Sequence, residues 1–370
     1  MARVTFLLAK DPTTAHGGDL TLARMLMDVA RQVHDVRGVC LSADPIQDHE
    51  SHWLTRVPKP ALSPLRIGCS SMRSKRSLVH ARFDNADLVK AIDAADEADL
   101  YVADHSYMAE SFLRSKCHQR GVPLLVNTVV SESFVWSETR GVLGRVERAR
   151  ILRDELRVAR ASAGIGTYDK AEAAFYREHG VERAAWLSVT LPPKKRVAVA
   201  SAPPTLVFVG DRGWPPNQRA FKTALQWWPE IAAGIDDARL LVVGRPKRAD
   251  STPLPDGVTD LGFVDDLDAT LAGCRALIAP VGTGGGVRVK ILDAVSRGLP
   301  VIGTPAAVGS LGEIFDLPIH ADKESFVEAA RSMLSRPDEA AMQGAQLHRA
   351  NLDRWESGVV QGLLTSWLAV

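Results

Sequence analysis

The stretch that decides the fold runs from Ala279 to Thr304, APVGTGGGVRVKILDAVSRGLPVIGT. An apolar run ends at Pro280, glycines stand at 282, 284, 285 and 286, and a helix-like segment opens with Val287, Arg288 and Lys290. Gly298 then closes the helix and Pro300 opens the next apolar run, Val301–Gly303. Strand, glycine loop, helix and strand together form the repeating unit of an open parallel sheet. Such a loop leaves free N–H groups at the positive end of a helix, where phosphate binds well, and Gly284, Gly285 and Gly286 would let it approach without a Cβ in the way. Arg288 and Lys290 add positive charge, and Asp293 brings a carboxylate that can accept from ribose hydroxyls. A tight turn with solvated cations would show the same local pattern. The spacing fits neither GxxxxGK[ST] nor the full context of GxGxxG.

The same alternation extends in both directions. Apolar runs predict strands near Val4–Ala9, Asp35–Leu41, Leu100–Ala103, Leu124–Asn127, Ala163–Thr167 and Trp186–Val189. A second set falls near Leu206–Val209, Leu240–Val243, Thr259–Phe263, Leu277–Pro280, Val301–Gly303 and Leu317–His320. Amphipathic stretches lie between them. The pattern breaks at LPPKKRVAVASAPPT (Leu191–Thr205), rich in proline and without helical period, which reads as a linker. The expected organisation is a first domain over 1–191, a linker over 192–204, a second domain over 205–350 and a closing helix over 351–370. Each domain is expected to be Rossmann-like and doubly wound, the two facing a central cleft.

The 370 residues suit two domains, and 46% apolar with 24% charged residues suits a soluble globular chain. A net charge of +1 excludes a general nucleic-acid footprint. Cys40, Cys69, Cys117 and Cys274 form no CxxC pair, which argues against a zinc site or disulfide framework and fits a reducing cytosol. MARVTFLLAKD is too short in its apolar part for a signal peptide or a span, so any membrane association is expected to be peripheral.

GGGVRVKILDAVSRGLPVIGT resembles the donor-binding signature of group 1 glycosyltransferases with the two-domain GT-B fold. LVFVGDRGWPPNQRAF, DARLLVVGR and LGFVDDLDATLAGCRALIAP resemble the preceding parts of that family's second domain, in order. The resemblance covers most of residues 205–310. It is weaker in the first half, where HGGDLTLARML and ARASAGIGTYDKAEAAFYREHG carry it. It implies a nucleotide-sugar donor, a nucleoside diphosphate leaving group, no required metal or other cofactor, and retention of anomeric configuration. Residue by residue it places Asp293 on the ribose, Arg288 and Lys290 near the diphosphate, and Val287 with the glycines in the donor loop. Arg212 stands near the usual site of a donor-binding basic pair. Gly285 occupies the position of a carboxylate that many members turn toward the sugar, so sugar identity is not implied. The departures at Gly285 and around Arg212 keep open a nucleotide-sugar-binding scaffold without turnover; a sugar-nucleotide epimerase of the same architecture is a further alternative that the missing carboxylate does not favour.

In the first half, Gly17 and Gly18 between a strand and a helix match a family glycine pair that approaches donor phosphate or acceptor, with His16 beside them. His105, just past a strand end with Asp104, matches a histidine of many relatives and is the candidate catalytic residue there. Glu132, after Asn127, is a candidate acceptor contact. DDLD (Asp265–Asp268) reads as a helix cap with first-turn acids rather than a metal site, and HESH (His49–His52) as a loop without further ligands. Seven basic and no acidic residues lie between Glu50 and Asp84, and RGVLGRVERARILRDELRVAR adds seven arginines. These could be solvated, paired faces or a surface for an anionic membrane or a lipid-linked acceptor; the acceptor could equally be a glycan or small molecule.

Overall fold

A computed structural model describes every residue except 16, 44–51, 61–62, 96, 249–251 and 284. His16, Gly284 and His49 therefore lie outside the described residues. The chain divides into two compact units, Met1–Leu187 with Gln361–Val370, and Ser188–Val360.

Unit 1 holds seven strands: β1 (Arg3–Leu8), β2 (Asp35–Ser42), β3 (Leu54–Pro58), β4 (Leu100–Asp104), β5 (Leu124–Thr128), β6 (Gly164–Thr167) and β7 (Ala184–Trp186). They pair in parallel in the order β3-β2-β1-β4-β5-β6-β7. β4 and β5 are buried at every position, which is why they open on apolar runs, Leu100–Ala103 and Leu124–Val126, rather than alternating. Helices cover the sheet, and Leu7, Val126, Ile165 and Ile151 meet in its core. The last helix, Val359–Leu368, follows a break at Gly358 (φ 73°), and its Trp367 packs against Gly166 of β6.

Unit 2 holds β8 (Thr205–Val209), β9 (Arg239–Val243), β10 (Val258–Gly262), β11 (Ala276–Ala279) and β12 (Val301–Gly303), parallel in the order β10-β9-β8-β11-β12. Its core gathers Leu206, Phe208, Phe221, Trp228 and Phe326.

Two strand expectations fail. Leu317–His320 forms only one bridge, Ile319 to Gly303, because Pro318 has no N–H to give a ladder. Conversely β3 is a strand where none was expected. Its Arg56 belongs to a run that reads as basic surface, yet the side chain is buried and pairs with Asp11 at 2.7 Å.

In both sheets the chain reverses direction of growth once. In unit 1 this occurs between β1 and β4, in unit 2 between β8 and β11. At such a switch point the loops after two neighbouring strands diverge and leave a crevice at the carboxyl ends.

Candidate active site

In unit 2 the loops flanking the switch point are Gly210–Trp214, after β8, and Pro280–Arg288, after β11. The helix Val289–Ser296 begins at the end of the second loop and aims its free N–H groups into the same region. Lys290 is half-buried, gives a hydrogen bond to Asn217 Oδ1 at 2.9 Å and lies 5.6 Å from the Phe208 ring centre. It has no ion-pair partner among the described residues. Burial pushes its pKa down to about 8.

Arg288 turns back on its own loop. Its guanidinium donates to Gly286 O at 2.8 Å and to Ala306 O at 3.2 Å. It lies so close over Gly309 (φ 48°) that a Cβ there would overlap it. Gly286 is itself left-handed at φ 69°, while Gly285 and Val287 are half-buried beside it. Thr283 of the loop accepts from Arg219 at 3.0 Å, which ties the loop to the helix Pro215–Ala232.

Arg212 is buried. Its guanidinium grips Asp260 with two bonds of 2.6 and 2.7 Å, donates to Gly244 O at 2.9 Å and stacks over Phe221. It thus pins the β8 loop to the ends of β9 and β10. Asp293 faces Arg297, four residues on, at 2.8 Å and Lys194 at 3.0 Å. Asp268 shares both cations, and Asp266 caps its helix by accepting from Ala269 N–H at 2.8 Å. Two of the three DDLD acids, Asp266 and Asp268, are thereby occupied as a cap and an ion pair.

In unit 1 the switch point is flanked by the segment Ala9–Gly18 after β1 and by His105 after β4. Gly17 caps the helix Gly18–Arg31 at φ 153°, where a Cβ would strike the Asp19 carboxylate. Lys10 gives a 2.6 Å bond to Asp19, whose ionised form this partner favours against the opposing effect of burial. His105 is buried in a left-handed conformation (φ 74°) that is unfavourable outside glycine, and strain of this kind clusters at functional positions. Its ring stacks on Tyr107 at 5.0 Å, and Nδ1 has no hydrogen-bond partner, with Glu132 Oε1 3.9 Å away. Burial lowers its pKa to about 4, so it is neutral at pH 7.

Glu132 opens the helix Glu132–Thr139. Burial and then the neighbouring Glu155 raise its pKa to about 8. Burial raises Glu155 to about 7, and the bonds it accepts from Glu132 N–H at 2.6 Å and Ser131 Oγ at 3.1 Å hold it below Glu132, so Glu155 is the first of the pair to ionise. Asp104, raised to about 7 by burial and by Asp19, accepts from Asn127 at 2.8 Å.

The structure thus gathers Gly285, Gly286, Val287, Arg288 and Lys290 in one loop–helix corner. It sets Asp293 further along the same helix and gives Arg212 to Asp260. His105 and Glu132 are neighbours, with Gly17 and Gly18 across the same switch point. Asn217, Gly309, Arg297 and the Lys10–Asp19 pair complete these constellations and carry no local sequence signal of their own.

Two parallel α/β sheets of seven and five strands, each with a loop crevice at its switch point, make up the architecture of the GT-B fold. Residues 203–336 match the family of glycosyl transferases group 1, and the two sheets are those of the GT-B fold. Among similar solved structures is Anabaena Alr3699/HepE in complex with UDP and glucose, 13% identical, with all of both chains covered and a TM-score of 0.69. WaaG, a glycosyltransferase involved in lipopolysaccharide biosynthesis, is 17% identical over 97% of this chain and 99% of its own, with a TM-score of 0.65. TarM reaches a TM-score of 0.74 at 8% identity over 100% and 99%. At such identities the likeness is one of fold. No curated protein matches the chain in sequence.

Proposed function

We propose that unit 2 binds a nucleoside diphosphate hexose and that the chain transfers the sugar to an acceptor held by unit 1, with retention of configuration. The observation that carries this reading is the Lys290 ammonium. It is half-buried at the switch point, beside a glycine loop and a helix start, without a carboxylate to neutralise it. A diphosphate is the group such a corner favours. As the sugar–phosphate bond breaks, negative charge would be met by Lys290, by the Gly285 and Gly286 N–H groups and by the helix end, groups fixed before the reaction begins. Arg288 would hold the loop in shape and add its charge. Asp293, steadied by Arg297 and Lys194, would accept from the ribose. Arg212 would serve the donor through the β8 loop it pins. In unit 1, Gly17, Gly18, neutral His105 and protonated Glu132 would offer hydrogen bonds to acceptor or sugar hydroxyls.

UDP is the first base to test, because HepE is seen with UDP and with UDP-glucose. A thermal-shift series against UDP, GDP, dTDP and ADP should show one nucleotide stabilising the chain well above the rest. Failure of all four would sink the donor assignment. Turnover should survive EDTA, since the cations named above do the work a metal would. A scaffold without turnover is the second reading, favoured by Gly285, which brings no carboxylate to the sugar. Donor binding without transfer or hydrolysis would establish it.

We further propose an anionic bilayer as a partner of unit 1. Arg150, Arg153 and Arg157 of the helix Gly141–Ala161 are turned inward onto Glu147, Lys75 O and Glu110. Val142, Leu143 and Val146 are 70, 51 and 66% exposed, beside exposed Arg145 and Arg148. The adjoining helix Pro64–Ser74, bonded through Ser71 to Arg150, adds Leu65 and Met72 at 84 and 73%, with exposed Arg66 and Arg73. Apolar side chains set among arginines suit the headgroup layer. No helix among the described residues is long and apolar enough to cross a membrane. Sedimentation with phosphatidylglycerol vesicles should fall with salt and with Val146→Asp. Salt-insensitive or absent binding would overturn the assignment.

A further inference from the structure

Unit 1 contains a cavity of about 270 Å³ lined by Lys10, Asp11, Thr14, Ala15, Leu41, Ser42, Ala43 and Lys59. It lies at the carboxyl ends of β1, β2 and β3, next to the β1/β4 switch point. Its charges do not balance. Asp11 is neutralised by Arg56 and Asp19 by Lys10. Lys59 has no side-chain hydrogen bond or ion pair among the described residues; Arg82, behind the lining, stacks on Phe83 at 5.1 Å and its buried Nε is unsatisfied. These two cations and Lys10 are close enough to repel: after burial, Arg82 and Lys10 are what lower the Lys59 pKa. Lys59 is thus the one lining cation without a carboxylate partner among the described residues, and it sits near two further cations at a cost that a bound anion would relieve. The hydroxyls of Thr14 and Ser42 on the same wall are of the kind that bonds a phosphate oxygen.

We propose that this cavity binds the phosphate group of a phosphorylated acceptor, with Lys59 as its principal ligand and Lys10 and Arg82 in support. More than one cation faces it, which suits the multiple charge of a phosphate monoester or diphosphate better than the single charge of a carboxylate. Lys10 follows β1 and His105 follows β4, the two strands that frame the switch point, so a phosphate bound here lies at the same edge of the sheet as the side chains read as meeting acceptor hydroxyls. The site rests on the functional reading only in being called an acceptor site; its anion binding stands by itself.

The probe is inorganic pyrophosphate, titrated calorimetrically into the full chain already saturated with UDP, so that the unit 2 corner is filled. Pyrophosphate should still bind. Lys59→Met should weaken it about tenfold, the loss of one charge-assisted hydrogen bond, while Lys59→Arg retains it. Arg82→Gln should weaken it less, and UDP affinity should be the same in all three. Competition by a soluble sugar phosphate or by phosphatidylglycerol vesicles would each support the site and separate a soluble from a lipid-borne phosphate. No heat in the UDP-saturated chain, or equal binding in Lys59→Met and the parent, would overturn the proposal. Failure of UDP itself to bind would instead fall on the donor reading, and the comparison of Lys59→Met with Lys290→Ala on the unliganded chain would still report on this cavity.

Discussion

The two switch points are built alike and charged differently. Each lies where an open parallel sheet reverses its growth, and each is framed by a glycine-bearing loop and the start of a helix. In unit 1, burial pushes the titrating groups toward neutrality: His105 falls to about 4 and Glu132 rises to about 8. In unit 2 the same physics lowers Lys290 only to about 8, which leaves most of its charge at pH 7. A neutral, hydrogen-bonding crevice suits hydroxyl groups, whereas a cationic one suits a diphosphate. One topology therefore hosts two chemistries through which side chains its loops carry.

The largest effect should come from removing the charge that distinguishes them. Lys290→Ala is expected to raise the Kd for the nucleoside diphosphate about 10- to 100-fold, as loss of a charge-assisted hydrogen bond implies. It should lower kcat/KM by about 10²–10³ if the same charge meets the leaving group. Lys90→Ala, a surface change in unit 1, should alter neither. Equal effects would erase the contrast between the units.

Second comes Gly309. Its φ of 48° and the guanidinium lying over it leave no room for a Cβ, so Gly309→Ala should displace Arg288 and weaken nucleotide binding about tenfold. In an Arg288→Ala background the same change should cost little further, since there is no guanidinium left to displace. Additive losses would show that the two do not act through one another.

The strands were legible because buried parallel strands are written as apolar runs, and β4 and β5 are apolar along almost their whole length. β3 was not, since Arg56 reads as surface until Asp11, 45 residues away, is brought to it. The glycine loop and its helix are contiguous in sequence and could be located directly. What fixes the side chains there is not contiguous. Lys290 meets Asn217 across 73 residues and Arg212 meets Asp260 across 48. Neither partnership has a spacing rule, because the sheet and not the local chain sets the distance. Lys59 carried no signal beyond its charge, and its significance comes from the cations around it.

A smaller effect is expected at His105. His105→Ala should lower kcat/KM about 10-fold, less than a charge removal, because it deletes hydrogen bonds of a neutral ring. UDP binding should stay within about twofold, which a donor titration on the variant would check. A matching loss of UDP affinity would move His105 from acceptor or sugar to the nucleotide.

The smallest effect concerns stability and tests the neutral character of unit 1. Glu132 holds its proton up to about pH 8 in the folded chain, whereas an unfolded glutamate loses it near its ordinary value of 4.5. Across that window the folded state binds more protons, so stability falls as pH rises, and the whole cost is present above pH 8. Glu132→Gln keeps the shape and cannot ionise. Below about pH 4.5 variant and parent should melt together; at pH 9 the variant should melt about 3 °C higher. Glu155, itself raised by burial to about 7, ionises first, and Glu132 ionising beside it then meets a like charge that outweighs the pull of Arg140 and Lys10. An unchanged difference between the two proteins from pH 5 to 9 would mean that Glu132 ionises as an ordinary surface acid, and the contrast with Lys290 would lose its unit 1 half.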